Sequence, residues 1–401
     1  MSLTTGTEIP QQLEALTPLW LTDALREQGQ LAAGRVGRVG IEPLGEGGGF
    51  IGVVARLHLG YEGDAGAAPA TLIAKLPSQI GMNRMAGELL GAYWREIHFY
   101  RELTDEVPIR TPRHYYSALT PDPMRPRLDK ILRVVDRMPG WFVDPVMARS
   151  KEILGRSPHR YLLLIEDLAP ARPGDQLGGG TPEVCAAVLT AVAKMHAGFW
   201  RSPTLDRHFW LNDPTVTLRI RHRMYQESRP SFLERHQKRL GEFGLALVEW
   251  HDRNGLRLQR RLYRQAPPTL VHGDLRLDNL FFDDSSAGDQ VLLADWQLMG
   301  RGPAAHDVAY FLSGALDGDA SAMTEEALLR HYHAELVKGG VDDYPVDRLL
   351  RDYGAGLLAM LQLHGTADTV DVGEGRGGEL MDRWLDRTLA RLRNVDLDEL
   401  A

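Results

Sequence analysis

The residues able to do chemistry lie in Val271-His272-Gly273-Asp274-Leu275-Arg276-Leu277-Asp278-Asn279-Leu280, answered downstream by Leu293-Ala294-Asp295-Trp296-Gln297. Asn279 stands five residues after Asp274. In a phosphoryl-transfer loop of the form H-x-D-x-x-x-x-N, the Asp accepts the proton of the attacking hydroxyl and the Asn holds Mg²⁺. A second Asp arrives on the next hairpin. Asp274, Asn279 and Asp295 suit these three posts. Apolar runs beside both motifs read as short buried strands, which would deliver the polar groups from rigid supports. A lone H-G-D would be read as a solvated acidic turn; the offset of Asn279 and the strand-borne Asp295 favour chemistry instead.

A site of this kind needs cationic and backbone groups for the phosphates, and the first half of the chain offers them. Residues 45–52 are glycine-rich, with Gly47 and Gly48 at the centre, between runs that read as strands. Without Cβ atoms, such a hairpin brings N–H groups close to phosphate oxygens, although a flexible turn tip has the same composition. Residues 71–77 form an apolar strand interrupted by Lys75, which needs an anionic partner if buried. Residues 85–103 read as one helix with Met85, Leu89, Tyr93, Ile97 and Tyr100 inward. Glu96 lies beside that stripe and is the expected partner of Lys75, whereas Glu88 and Glu102 lie off it and are expected in solvent. Residues 160–168 read as a buried strand ending on Glu166, Asp167 and Leu168, where free backbone groups could meet the edge of a purine.

The elements around these residues follow from caps and periodicity. Thr17-Pro18 and Thr181-Pro182 each pair a capping side chain with a proline at the first helical position, opening helices at 17–28 and 181–197. Residues 131–135 read as a strand, and 214–265 as mostly helical with a solvated arginine-rich face. His196 reads as a satisfied core histidine. Asp307 opens an apolar helix, where it could cap that helix and brace the loop around Asp274 from behind. Further helices are expected near 324–337, 344–364 and 378–393. Residues up to about 9 read as disordered and 373–378 as a mobile glycine-rich segment.

The chain has 401 residues, enough for two lobes with a core each. Its 43% hydrophobic and 25% charged residues are ordinary for a globular protein. A net charge of −8 disfavours nucleic acid and anionic membranes as partners. The one cysteine, Cys185, lies in an apolar helical run and reads as core, and with no disulfide framework and no signal-peptide pattern a cytoplasmic location is expected.

Taken together, these motifs resemble those of the aminoglycoside phosphotransferase and choline kinase superfamily of small-molecule kinases, and within it the ecdysteroid-kinase-like branch. The resemblance rests on Leu72-Ile73-Ala74-Lys75, Arg95-Glu96-Ile97-His98-Phe99-Tyr100, Leu164-Ile165-Glu166-Asp167-Leu168, Met195-His196-Ala197-Gly198-Phe199-Trp200 and the two acidic motifs. It implies an α+β, two-lobed protein-kinase-like fold with a small antiparallel-sheet N-lobe and a larger, mainly helical C-lobe. Residues 1–165 would bind ATP, and 166–401 would carry the catalytic loop and a helical substrate region. By the same resemblance Asp274 is the base or hydroxyl-orienting group, and Asn279 and Asp295 hold Mg²⁺. Lys75 contacts ATP phosphates and pairs with Glu96, and backbone at Glu166, Asp167 and Leu168 receives adenine. His272 would be structural. The implied acceptor is a small-molecule hydroxyl: a steroid-like alcohol, a hydroxyacyl thioester, an amino sugar or an amino alcohol. The rival reading is a nucleotide-binding protein of the same fold without turnover. Protein kinase activity is disfavoured, because no D-F-G or A-P-E follows.

Overall fold

The structure, a computed structural model, describes residues 8–44, 52–123, 125–138, 159–283, 291–367 and 375–400. The glycine-rich loop with Gly47 and Gly48, the first seven residues and residues 373–374 lie outside the described residues, whereas 376–378, expected to be mobile, begin the last long helix. Two compact units are present. One comprises Met1–Thr104, Pro112–Pro123 and Asp144–Ala169, the other Asp105–Thr111, Met124–Val143 and Pro170–Ala401.

The first unit is built on a five-stranded antiparallel sheet: β1 (Arg35–Leu44), β2 (Gly52–Glu62), β3 (Thr71–Pro77), β4 (His114–Leu119) and β5 (Tyr161–Glu166), in the order β1-β2-β3-β5-β4. Along β3 the two-residue period of a strand buries Leu72, Ala74 and Leu76 and sends Lys75 to the opposite face. Those buried residues meet Leu57, Leu162, Leu164 and α1 (Pro18–Glu27), which contributes Trp20, Leu21 and Leu25. The hydroxyl of Thr17 accepts from the N–H of Trp20 at 3.3 Å, the cap that the Thr-Pro pair announces. The single helix expected over 85–103 is instead two, α2 (Gly81–Leu90) and α3 (Ala92–Glu102). Gly91 lies between them at φ 68°, a left-handed conformation that interrupts the helical ladder.

The second unit is mainly helical. Its first helix, α4 (Arg125–Arg137), occupies the stretch where a strand was expected at 131–135. The β-branched cluster was misleading: Leu128, Leu132 and Val135 are the less exposed positions, spaced four and three apart as on one face of a helix. Asp136 then accepts the N–H groups of Arg219 and Ile220 at 2.9 and 3.0 Å, at the start of a long helical segment. In chain order the unit continues with β6 (Arg172–Pro173), α5 (Pro182–Gly198), α6 (Leu218–Gln265, broken at Gly241) and β7 (Pro268–Val271). There follow β8 (Leu280–Phe282), β9 (Val291–Leu293), β10 (Gly300–Pro303), α7 (Ala304–Ala315), α8 (Ala322–Lys338), α9 (Val346–Ala367) and α10 (Arg376–Leu392). Two small sheets, β10-β7 and β6-β8-β9, sit among the helices. Both acidic motifs are the connections at the ends of these strands, so their backbones are set by buried residues such as Leu270, Val271, Leu280 and Leu293. Cys185 is fully buried and burial pushes its thiol up to about 12, so it is a core residue, as expected.

Candidate active site

The loop after β7 is held from behind. Asp307, fully buried in the first turn of α7, accepts the backbone N–H of His272 at 2.6 Å on Oδ2 and that of Gly273 at 2.9 Å on Oδ1. This is the expected brace, but not the expected cap: the residue before α7 is Pro303, and no side chain caps the helix. His196 approaches the same carboxylate at 3.3 Å through Nε2 and the Tyr332 hydroxyl at 2.6 Å through Nδ1, so both ring nitrogens are satisfied. Gly273 has φ +79°, and a Cβ there would lie 2.4 Å from the carbonyl oxygen of Leu298, so only glycine fits.

His272 ties the two acidic motifs together. Its Nδ1 accepts the N–H of Asp274 at 3.3 Å, which assigns the proton to Nε2, and Nε2–H donates to the carbonyl of Ala294 at 3.0 Å. The Ala294 N–H donates to the Asn279 carbonyl at 2.9 Å, a second tie. Beyond it Asp295 adopts φ +65°, a conformation costing a non-glycine residue on the order of 1–3 kcal/mol and concentrated at functional sites. The fully buried Trp296 packs its ring edge-on to His272 at 4.9 Å and fixes the turn.

Asn279 Nδ2 donates to the carbonyl and to Oδ2 of Asp274 at 2.9 and 3.0 Å, so Asp274 and Asn279 share one small cluster. Asp274 Oδ1 accepts the Tyr310 hydroxyl at 2.6 Å. Arg276 Nε lies 3.5 Å from Asp274 Oδ2, and Arg276 Nη1 3.4 Å from Asp278 Oδ2. Burial opposes the Arg276 charge, yet Asp274, Tyr310, Asp278 and Asp295 outweigh it and raise the guanidinium above its ordinary value. Burial and then Asp274 push the Tyr310 phenol well up, which keeps it a donor. Asp278 also accepts the Gln176 N–H at 3.0 Å and pairs with Arg376 at 3.2 Å.

A second set forms in the sheet unit. Lys75 Nζ and Glu96 Oε1 are 2.6 Å apart, with side chains only 11% and 3% exposed, so this ion pair is buried. Glu102 is exposed and contacts His98, as expected of a residue off the stripe. Glu88 is not in solvent: it is buried against Arg84 and His159, and burial raises its carboxyl against their pull. Glu166 exchanges hydrogen bonds with Arg113, its N–H donating at 2.8 Å and its Oε2 accepting at 2.9 Å. The Asp167 carboxylate is clamped by Arg56 at 2.7 Å; burial raises its carboxyl, but Arg56 leads the groups that bring it below the ordinary value. The ladder with β3 ends at Glu166, leaving the backbone of Asp167 and Leu168 beyond it.

The ecdysteroid kinase-like family matches this sequence over residues 46–340, most of the chain and all but a few of these groups. The chain belongs to that family. Among solved structures, this ecdysteroid kinase-like protein is similar to choline kinase from Cryptosporidium parvum Iowa II, at 10% identity, 90% coverage of each chain and a TM-score of 0.51. It is also similar to a protein from Ralstonia eutropha JMP134 named by similarity as an aminoglycoside phosphotransferase, at 15% identity, 93% coverage of this chain, 95% of the other and a TM-score of 0.50. At such identities the likeness concerns the fold, which is the expected α+β, two-lobed kinase-like one. No curated protein matches the chain. Among the described residues no helix is long and apolar enough to cross a membrane.

The donor set fits a hard cation. Among the described residues no group of three or more His, Cys, Asp or Glu side chains could hold a metal, so the loop is not a dedicated cage. It offers a carboxamide and a carboxylate, the small oxygen set with which Mg²⁺ is held when water and phosphate complete its shell. Asn279 turns its Nδ2 towards Asp274, and its Oδ1 accepts no hydrogen bond among the described residues. Asp274, Asp278 and Asp295 all act on Arg276, with Arg376 as a second cation at Asp278, so these three carboxylates outnumber the two guanidiniums and favour added positive charge. Sequence reasoning singled out neither Tyr310, Arg276 nor Asp278. The signal for Tyr310 was its place one helical turn after Asp307, on the same face of α7.

Proposed function

We propose that this ecdysteroid kinase-like protein transfers the γ-phosphoryl group of ATP, with Mg²⁺, to a hydroxyl of a small molecule. The observation that carries the reading is the Asp274–Asn279 cluster, tied through Ala294 to an Asp295 held in a left-handed conformation. In this reading Asp274 orients the acceptor hydroxyl and receives its proton, while the acceptor oxygen bonds to phosphorus and the bridging oxygen leaves with ADP. Asn279 and Asp295 would hold Mg²⁺, which neutralises phosphate charge when bound. Lys75, oriented by Glu96, would contact the phosphates, with Gly47 and Gly48 alongside, and the backbone at Glu166, Asp167 and Leu168 would take adenine. Residues 1–165 would thus serve the nucleotide and 166–401 the chemistry and acceptor. A cytoplasmic location suits a chain whose one cysteine is buried.

On the Tyr310 side, opposite the Arg276 contact, the neighbours of Asp274 are uncharged. Tyr310, Met360 and Trp384 form an apolar cluster edged by Ala359, Leu363 and Met381. This supports an acceptor with an apolar body over a polycationic amino sugar. The test is a phosphoryl-transfer screen of purified protein against hydroxylated metabolites, read by mass spectrometry, beside Asp274→Ala. A product gaining one phosphoryl mass is expected, with turnover reduced about 10²–10⁴-fold in the variant. Equal ATP consumption by both proteins would refute transfer through Asp274, and none with any acceptor would leave a nucleotide-binding protein without turnover.

A further inference from the structure

The two carboxylate oxygens of Asp274 are not equivalent. Oδ2 receives the Asn279 amide at 3.0 Å and faces the Arg276 guanidinium at 3.5 Å. Oδ1 receives, among the described residues, only the Tyr310 hydroxyl, at 2.6 Å. That is the length of a charge-assisted O–H···O⁻ bond, the bond an acceptor alcohol must itself make with Asp274 before its proton can be taken. The phenol is therefore an alcohol standing where an alcohol is required. Its aromatic body is packed as an apolar acceptor's would be, against Trp384 at 4.9 Å with rings at 76° and against Met360. The ring is held in place: Trp384 Nε1 donates to Ser313 Oγ at 3.1 Å, and Ser313 Oγ donates to the Tyr310 carbonyl at 2.9 Å.

We propose that the Tyr310 hydroxyl stands in for the acceptor on Asp274 Oδ1, is displaced by the acceptor's own hydroxyl, and so keeps water from being phosphorylated while no acceptor is bound. The inference rests on the phosphotransfer reading above. The suppressed reaction has the same balance as the productive one: water's oxygen bonds to the γ-phosphorus, the bridging oxygen leaves with ADP, and water's proton goes to Asp274. The product is inorganic phosphate. Tyr310 is thus a positioning residue that acts through Asp274. The acceptor it admits presents a hydroxyl on an uncharged body able to replace a phenol ring's contacts.

The experiment compares wild type, Tyr310→Phe and Asp274→Asn for phosphate release without acceptor, and for the ratio of phosphorylated product to phosphate with the acceptor from the screen. Tyr310→Phe keeps the ring and removes the stand-in. Acceptor-free hydrolysis should rise about tenfold, the scale of losing one charge-assisted hydrogen bond, and the product ratio should fall. Asp274→Asn should lose both reactions. If Tyr310→Phe slows hydrolysis and transfer by the same factor, or leaves their ratio unchanged, the phenol is only a brace and the inference is overturned. Trp384→Phe, which removes the bond to Ser313, is the second variant should the first not fold. It should shift the ratio in the same direction by a smaller factor, and an unshifted ratio overturns the inference. A wild type inert towards every alcohol and towards water refutes the phosphotransfer reading as well; an active wild type with an unmoved ratio refutes the stand-in alone.

Discussion

Replacing Asp307 should unfasten the loop that carries Asp274 without touching the Asp274 or Asn279 side chains. Its carboxylate carries two buried backbone N–H groups, at 2.6 and 2.9 Å, and faces His196 at 3.3 Å. Hydrogen bonds to a charged group contribute about 1.5–3 kcal/mol each, and a donor left unpaired in the interior costs about 1–3 kcal/mol. Asp307→Ala orphans the His272 and Gly273 donors together, so a loss of about 3–5 kcal/mol is expected. Asp307→Asn can serve only one of them, because its NH₂ must face the other, and about 2 kcal/mol is expected. Urea unfolding gives the difference as a shift of midpoint at constant slope. The sign with pH also follows. Burial raises the Asp307 carboxyl, but the His196 hydrogen bond and the imidazoles of His196, His306 and His272 bring it below the ordinary range. The folded value lies below the unfolded one, so the stabilisation is complete above about pH 4 and disappears as pH falls through the folded value. An Asp307→Ala protein within about 1 kcal/mol of wild type would refute the brace, as would an acid transition unchanged by the substitution.

Two further outcomes test the local geometry. Gly273→Ala places a methyl 2.4 Å from the Leu298 carbonyl at φ +79°, so a loss of about 2–4 kcal/mol and a more than tenfold fall in turnover are expected; a normal melting temperature with normal activity would show that the turn relaxes. Lys75→Ala removes the buried ion pair with Glu96, so both nucleotide affinity and stability should drop. Adding Glu96→Gln should then recover part of the stability, and strictly additive losses in that double-mutant cycle would show that the two side chains are not coupled.

What was legible in the sequence and what was not divides along the distance over which each contact is made. Asp274 and Asn279 share one short loop, so the five-residue offset alone puts the amide beside the carboxylate. Glu96 was legible because the apolar stripe of α3 marks the side it must share. α4 was misread because Ile131, Val134 and Val135 raise the β signal of that window, while the helical face shows only when Leu128 and Leu132 are counted with Val135. Glu88 escaped because its burial depends on His159, 71 residues further on, and no local period encodes such a meeting. The Tyr310–Asp274 bond joins residues 36 apart through the packing of α7 against β7. Asp307 makes that bond possible: the carboxylate that fastens the loop and the phenol that occupies Asp274 lie one turn apart on α7, so fixing the one fixes the other. On the proposed phosphotransfer reading, a helix whose successive turns hold the loop and fill the Asp274 oxygen couples the stability of the site to its vacancy for an acceptor. Substitutions at Asp307 should therefore change the hydrolysis-to-transfer ratio as well as the unfolding midpoint, whereas a brace independent of Tyr310 would move the midpoint alone.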